Sequence, residues 1–353
     1  MLKLGILGSG IITDCHFFAI DKLPDVKIAA VASADEESGK KACDKYGAKF
    51  YGDYKELLSN EKDLDGIVNA LPNFMHYDSC LYAIENGHKN ILCEKPLGIS
   101  AEQSEKLVEA VNKNGVMFYT GYMKRFNPGF LRIKELKEKL GEIQFVTFSI
   151  FTKGAQPKPG AAKAPAKTWH GEAGLSGGGI VTHSGSHHID LMRHLFGDVK
   201  NLSAKCRYNH DRDYYLSAKF EMESGIDIDM KIGRADLPGM GWGWERRPRG
   251  WNESVEVSGD NGYIIVYNPT WEGYDPMTIK CWLKGMDNPE VTNIECNLQW
   301  INEFTAFAES CKTGKLHENT SSVVDGYRTD FLIEQIHASS KKGGEKIALN
   351  YKY

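Results

Sequence analysis

Two side chains far apart in the sequence have the chemistry to work on one alcohol. Lys95 stands in Ile91-Leu92-Cys93-Glu94-Lys95-Pro96-Leu97, where a short apolar run ends. At the carboxyl end of a parallel strand, where open α/β sheets bind ligands, an ammonium can stabilise a developing alkoxide and hold the reacting carbon. His187 stands in Ser184-Gly185-Ser186-His187-His188-Ile189-Asp190, a glycine-containing turn that opens a helix. An imidazole, with an ordinary pKa of about 6.5, takes a hydroxyl proton near neutrality and returns it in the reverse direction. A surface lysine and a structural histidine are the plainer readings of the same two residues.

A third group of residues points to a phosphate. Gly8-Ser9-Gly10-Ile11-Ile12-Thr13 follows a strand-like run and opens a helix. Gly8 permits the tight turn and Gly10 lets the backbone approach a pyrophosphate. The helix start at Ile11 and Ile12 offers N–H donors and partial positive charge. Thr13 replaces the third glycine of such fingerprints, which sets the helix and first strand slightly further apart. The second strand ends Ala30-Val31-Ala32-Ser33-Ala34-Asp35. An acid at this corner grips ribose hydroxyls and favours NAD, whereas Arg or Lys favours the 2′-phosphate of NADP. Ser33 holds the corner, with Asp35 two residues on and Lys40-Lys41 beyond, so NADP stays open and NAD is favoured because no Arg is present.

The elements needed to position these residues fall into two rhythms. Up to about Gly121, apolar runs at Leu4–Leu7, Lys27–Ala32, Gly66–Leu71, Ile91–Cys93 and Val116–Thr120 alternate with helical stretches at Glu36–Tyr46, His76–Asn86 and Ala101–Asn114. Apolar strands separated by helices predict a parallel sheet covered on both faces, hence a doubly wound α/β fold. Residues 1–122 are read as this nucleotide-binding domain. Residues 123–353 are read as a second, α+β domain. It has helices at Pro128–Leu140, Trp300–Lys312 and Ser321–Ser340, and a strand at Ile143–Phe151. Period-two runs at Tyr214–Glu223, Ile226–Ile232, Glu253–Ser258 and Tyr263–Tyr267 make its sheet largely antiparallel. The Gly/Ala/Pro/Lys stretch between Lys153 and Lys167 reads as a long loop.

Composition narrows the class. A length of 353 residues suggests two domains at about 150 residues each. Lys plus Arg number 43 against 47 Asp plus Glu, a formal charge of −4, which argues against a general nucleic-acid binder. No apolar run approaches the roughly 20 residues of a membrane span, and the N-terminus has no signal-peptide layout. Eight cysteines without a CxxC pair indicate neither a zinc site nor a disulfide framework. The expectation is a cytoplasmic protein with no membrane and no nucleic-acid partner.

Four segments resemble, in order, the signatures of the Gfo/Idh/MocA oxidoreductases, the glucose–fructose oxidoreductase and inositol dehydrogenase family. Glu94-Lys95-Pro96 is similar to its EKP signature, and Ala70-Leu71-Pro72-Asn73-Phe74-Met75-His76 to its TPNxxH segment. Gly121-Tyr122-Met123-Lys124-Arg125-Phe126-Asn127-Pro128 resembles GYxxRFxP, and Gly177 through Asp190 resembles GGGxxxDxGxHxxD. The resemblance implies a Rossmann domain followed by an α+β domain with an open sheet, a site between them, and a homodimer or homotetramer built on that sheet. It also implies that the Lys-Pro peptide is often cis. The activity implied is reversible hydride transfer between NAD or NADP and a secondary hydroxyl of a sugar, polyol or glycoside, with C3 of a pyranoside preferred.

In that reaction Lys95 orients and polarises the hydroxyl and His187 accepts its proton. His183 and Asp190 place substrate and base, while Leu71, Asn73, His76 and Glu94 border the coenzyme. Arg125 and Trp169 are further substrate contacts. His183 is a departure, because the family usually has Asp there, and His170 stands where Arg is common. His183, His187, His188 and Asp190 also resemble a metal-ligand set, but hydride transfer needs no metal and none is expected. Trp242 and Trp244 lie in Gly239–Trp251, which concentrates tryptophan, glycine and arginine. That segment reads equally as the mouth of a site for a large glycoside and as a subunit interface. Two rivals remain: a family glycosidase that recycles NAD, and a nucleotide-sensing protein without turnover.

Overall fold

The computed structural model describes residues 1–152, 169, 172–234, 251–268, 276–295 and 297–353. Its first sheet contains β1 (Leu2–Leu7), β2 (Val26–Ala32), β3 (Lys49–Tyr51), β4 (Gly66–Asn69), β5 (Asn90–Cys93) and β6 (Met117–Thr120). All pair in parallel, in the order β3-β2-β1-β4-β5-β6. The connecting helices are α1 (Ile11–Ile20), α2 (Glu36–Tyr46), α3 (Tyr54–Asn60), α4 (Asn73–Glu85) and α5 (Ala101–Asn114). Helices on both faces explain why β1, β4 and β5 are apolar almost throughout. Local chemistry sets the helix ends. Ser100 accepts the Gln103 N–H at the start of α5, and Gly115, at φ +59°, terminates it in the left-handed conformation.

The second half carries α6 (Pro128–Leu136), β7 (Ile143–Thr152), α7 (Ala173–Ser176) and α8 (Ser186–Phe196). These are followed by β8 (Val199–Asn209), β9 (Arg212–Met222), β10 (Asp227–Arg234), β11 (Trp251–Gly259), β12 (Gly262–Asn268), β13 (Met277–Leu283) and β14 (Glu290–Ile294). Then come α9 (Leu298–Thr313), α10 (Val323–Lys341) and β15 (Ile347–Ala348). The sheet order is β14-β13-β12-β11-β7-β10-β9-β8-β15, antiparallel except where β7 meets β10. Its inner face buries Phe148, Ile150, Leu216, Phe220, Met230, Val255 and Val257 against α6, α8 and α10. Phe145, Trp282 and Val291 remain 47–52% exposed.

Several elements were not expected from the sequence. β3 and α3 are short, and β3 makes the strand that carries Glu94 and Lys95 the fifth of its sheet rather than the fourth. β8 and β13 mix polar with apolar positions because only one side of each strand meets the core, and the edge strand β14 is exposed from Glu290 to Asn293.

The last two long helices return to the parallel sheet. Trp300, Phe304 and Phe307 of α9 pack with Leu4, Ile6, Val68 and Tyr119. α10 reaches both sheets: Val323 and Tyr327 join Leu97 and Leu107, while Leu332, Ile333 and Ile336 join the core under the second sheet.

Candidate active site

A cavity of about 610 Å³ opens at the carboxyl ends of β1, β2, β4 and β5. The sheet order reverses between β1 and β4, which is where open α/β sheets bind ligands. One end is lined by Ser33, Asp35 and Ser38, the middle by Gly8, Ser9, Gly10, Ile11 and Ile12, and the other end by Lys95, Lys124, Trp169, His183 and His187.

The part lined by Gly8–Ile12, Ser33, Asp35 and Ser38 has the form of a dinucleotide cradle. Gly8 has φ +100°, and a Cβ there would lie 2.5 Å from the Ala70 carbonyl oxygen, so no other residue fits. Gly10 differs, since a Cβ built on it meets nothing within 4 Å; its open side belongs to the cavity. No side chain caps the start of α1, so its first N–H groups are left to an outside acceptor. Thr13 is fully buried and donates to the Gly8 carbonyl at 3.2 Å, bracing the turn from within. Ser9, Ser33 and Ser38 form a hydroxyl chain with 2.6 and 2.7 Å spacings. Asp35 caps α2 by accepting from the Ser38 N–H, and Lys40 is engaged by Glu36. The residues present therefore fit a dinucleotide. Hydroxyls and a carboxylate, with neither Lys40 nor Lys41 lining the cavity, fit ribose better than a 2′-phosphate.

Glu94 and Lys95 leave β5 together, and the Lys95–Pro96 peptide is cis. The Lys95 ammonium donates to the His183 main-chain oxygen at 2.8 Å. Burial pulls its pKa down, against the opposing pull of Glu94 and Asp330. The Glu94 carboxylate lies 3.0 Å from His16; burial alone would raise its pKa, but His16 and Lys95 hold it below the ordinary value. His76 lines the cavity with its ring nitrogens 2.6 Å from the Pro96 oxygen and 2.7 Å from the Leu71 oxygen. Asn73 also lines it and donates to the Ser176 oxygen at 2.8 Å.

His187 is the second residue of α8, directly after a π-helical turn at Val181–Gly185. That turn is held by Asp213 of β9, whose carboxylate accepts the Gly179 N–H at 2.9 Å and the Val181 N–H at 2.7 Å. His187 is buried, its ring meets Tyr122 edge-on at 5.6 Å, and its Nδ1 has no hydrogen-bond partner among the described residues. Burial, then the charges of Lys95 and Lys124, push its pKa well below the ordinary value. A neutral imidazole beside an ammonium at the end of a dinucleotide-shaped cavity can accept a proton from an alcohol held between them.

Two expected substrate contacts are corrected. Arg125 and Asp190 do not line the cavity; they form a buried two-point ion pair, 2.7 Å at both contacts. Arg125 also donates to the Thr320 oxygen and meets Asp325, while Ser321 donates to Asp190. Once paired in this way, neither charge is left for a ligand. His170, Trp242 and Trp244 lie outside the described residues.

The sequence reading missed Lys124, which lines the cavity from the turn at Met123–Phe126. Glu253 of β11 accepts from it at 2.6 and 2.7 Å, and from Asn268 at 2.6 Å, and lies 2.5 Å from His188. Burial would raise the Glu253 pKa, but Lys124 and His188 hold it far down. The signal was available: Glu253 shares the inward parity of Val255 and Val257 on its strand.

Two family models match parts of the chain. Residues 2–122 match the family model described as "Oxidoreductase family, NAD-binding Rossmann fold", and residues 130–265 match the GFO/IDH/MocA C-terminal domain. An inositol 2-dehydrogenase of Salmonella typhimurium is 34% identical over 146 residues, 40% of this chain and 43% of that protein. The chain thus matches less than half the length of that relative. A trans-1,2-dihydrobenzene-1,2-diol dehydrogenase of Xenopus tropicalis is 33% identical over 236 residues, covering 65% of this chain and 64% of the relative. A solved levoglucosan dehydrogenase in complex with NADH superposes with a TM-score of 0.83 at 18% identity, over 99% of each chain, and shares the fold.

Proposed function

The chain belongs to the Gfo/Idh/MocA oxidoreductase family, and from that premise we propose that it transfers a hydride between a nicotinamide dinucleotide, NAD by preference, and a secondary hydroxyl of a sugar, polyol or glycoside. The observation that carries this reading is one cavity that joins the Gly8–Ile12 turn to Lys95 and His187, with the Lys95 ammonium bonded to the turn that leads into His187.

The bound dinucleotide would supply the ring carbon that exchanges a hydride with the alcohol carbon. Gly10 and the start of α1 would hold its pyrophosphate, with Ser33 and Asp35 at the adenosine ribose. Leu71, Asn73, His76 and Glu94 would border the nicotinamide side. Lys95 orients the hydroxyl and stabilises negative charge on its oxygen, and neutral His187 takes the proton. In the reverse direction His187 gives that proton back. His183 lines the cavity together with Trp169; its main-chain oxygen fixes Lys95, and its ring would contact the substrate there. The preferred site of oxidation is C3 of a pyranoside.

A panel of sugars, polyols and glycosides with NAD and NADP, read at the reduced-nicotinamide absorbance, tests the reading. Stoichiometric NADH from at least one secondary alcohol is expected. Aglycone release without net NADH would replace it with a redox-cycling glycosidase. Tight dinucleotide binding with no turnover across the panel would replace it with a sensor.

A further inference from the structure

α10 touches the carriers of both proposed reacting groups. Toward its start, Asp325 pairs with Arg125 at 3.2 Å and Arg193 at 3.4 Å, and Arg125 pairs in turn with Asp190 of α8, three residues beyond His187. Further along, Asp330 and Glu334 face the segment between Lys95 and α5. Asp330 Oδ2 accepts the Leu97 N–H at 3.1 Å and the Ser104 hydroxyl at 2.6 Å; Glu334 accepts the Ala101 N–H at 2.7 Å. The approach is close enough that a Cβ on Gly326 would lie 2.6 Å from the Leu97 side chain.

Asp330 is an expensive way to fill that space. It is buried, and its Oδ1 has no hydrogen-bond partner among the described residues. An unpartnered buried carboxyl oxygen costs stability that an apolar side chain of similar size would not lose. Burial pushes the Asp330 pKa up to about 7, opposed by Ser104 and Leu97 and reinforced by Glu334. A proton on Oδ1 leaves Oδ2 able to accept in either charge state. Oδ2 joins the Leu97 amide, two residues past Lys95, to the Ser104 hydroxyl of α5.

We propose that Asp330 is a positioning residue for Lys95: by holding the Leu97 amide it fixes the turn at Pro96, and with it the place of the Lys95 ammonium relative to α8. The consequence for turnover rests on the reading of Lys95 given above, whereas the hydrogen bond itself does not.

The test uses the full chain. Hydrogen exchange of the peptide covering residues 95–100 is followed in the coenzyme-free protein for wild type, Asp330→Leu, Asp330→Asn and, as a control beyond the turn, Glu334→Ala. NADH affinity, kcat and KM are then measured on the best alcohol from the panel. Asp330→Leu is expected to speed exchange at Leu97 by tenfold or more and to lower kcat by tenfold or more, with NADH affinity and KM within threefold. Asp330→Asn, which keeps the accepting oxygen, is expected to restore exchange and kcat to within twofold when both are compared below pH 7, where the wild-type carboxyl holds its proton. Wild-type exchange in Asp330→Leu, or a loss of kcat that Asp330→Asn does not restore, would overturn the proposal. So would an unprotected Leu97 amide in the wild type, a result that needs no variant to fold. If wild type turns over no alcohol at all, the functional reading fails separately, and the exchange data still decide whether Asp330 holds the turn.

Discussion

The Lys95 ammonium and the His183 main-chain oxygen lie 2.8 Å apart, a hydrogen bond between residues 88 positions apart in the chain. It ties the end of a parallel strand to the turn that introduces α8. The amine is thereby aimed by the segment that also presents His187, so the two reacting groups are set relative to each other before any ligand arrives. Such preorganisation is worth most in a water-poor crevice, where charge on a reacting oxygen has few other partners.

Lys95→Met is expected to cut turnover by about 10²–10³-fold, the usual cost of a lost oxyanion donor. NADH affinity, followed by fluorescence titration, should stay within about threefold. Lys95→Arg should not rescue turnover, because a planar fork cannot stand where a compact ammonium did.

His187→Asn should lower kcat by about 10²–10⁴-fold, the range of a general base. The pH profile distinguishes this from a packing defect. Burial and the cations Lys95 and Lys124 hold the His187 pKa well below 6.5, so the base stays unprotonated through the neutral range. Wild-type kcat/KM for alcohol oxidation should therefore be flat below pH 7 and fall only well below 6.5. Lys124→Met removes one of those cations and should move the fall to higher pH, and His187→Asn should abolish it.

Gly10→Ala should leave the melting temperature near wild type, since the added Cβ meets nothing within 4 Å. It fills space that the proposed pyrophosphate needs, so NADH affinity should drop by tenfold or more. Gly8→Val, aimed at the Ala70 carbonyl from a left-handed backbone, should fail to fold.

Arg125→Met leaves the buried Asp190 charge without its ion-pair partner, which costs about 3–5 kcal/mol in comparable sites. Chemical denaturation should register that loss, while KM, measured at a temperature where the variant is folded, stays unchanged. The double variant Arg125→Met/Asp190→Leu should recover most of the lost stability.

Asp330→Asn should be more stable than wild type at alkaline pH. The folded-state pKa of about 7 lies above the ordinary 3.8, so the folded protein holds this proton more tightly than the unfolded chain does. Wild type accordingly loses stability as pH rises from about 4 to about 7. The Asn variant lacks that dependence, and its melting temperature should exceed wild type by several degrees at pH 8 and match it near pH 4.

Much of this was readable from the chain because the relevant signals are local. Gly8, Gly10 and the apolar run before them are neighbours, and Ser100 and Gly115 announce both ends of α5. Lys95 and His187 sit in segments whose composition gives them away. Arg125 and Asp190 misled because a charged residue in a functional-looking segment looks the same whether it meets a ligand or another charge. Their pairing joins a turn to a helix 65 positions later, and no spacing rule reports it. Lys124, the residue before Arg125, lines the cavity instead. Asp330 falls in a helix whose apolar pattern is blurred, since α10 packs against two cores at once.

The return of α9 to the parallel sheet has a cost for anyone wishing to isolate the dinucleotide-shaped half. Cutting after Tyr122 would strip Trp300, Phe304 and Phe307 from the flank formed by Leu4, Ile6 and Tyr119. The fragment would present a greasy stripe to water and clump rather than serve as a small soluble module. A workable excision would graft Leu298–Thr313 back through a linker, making covalent in a minimal scaffold what the whole chain achieves by folding over itself.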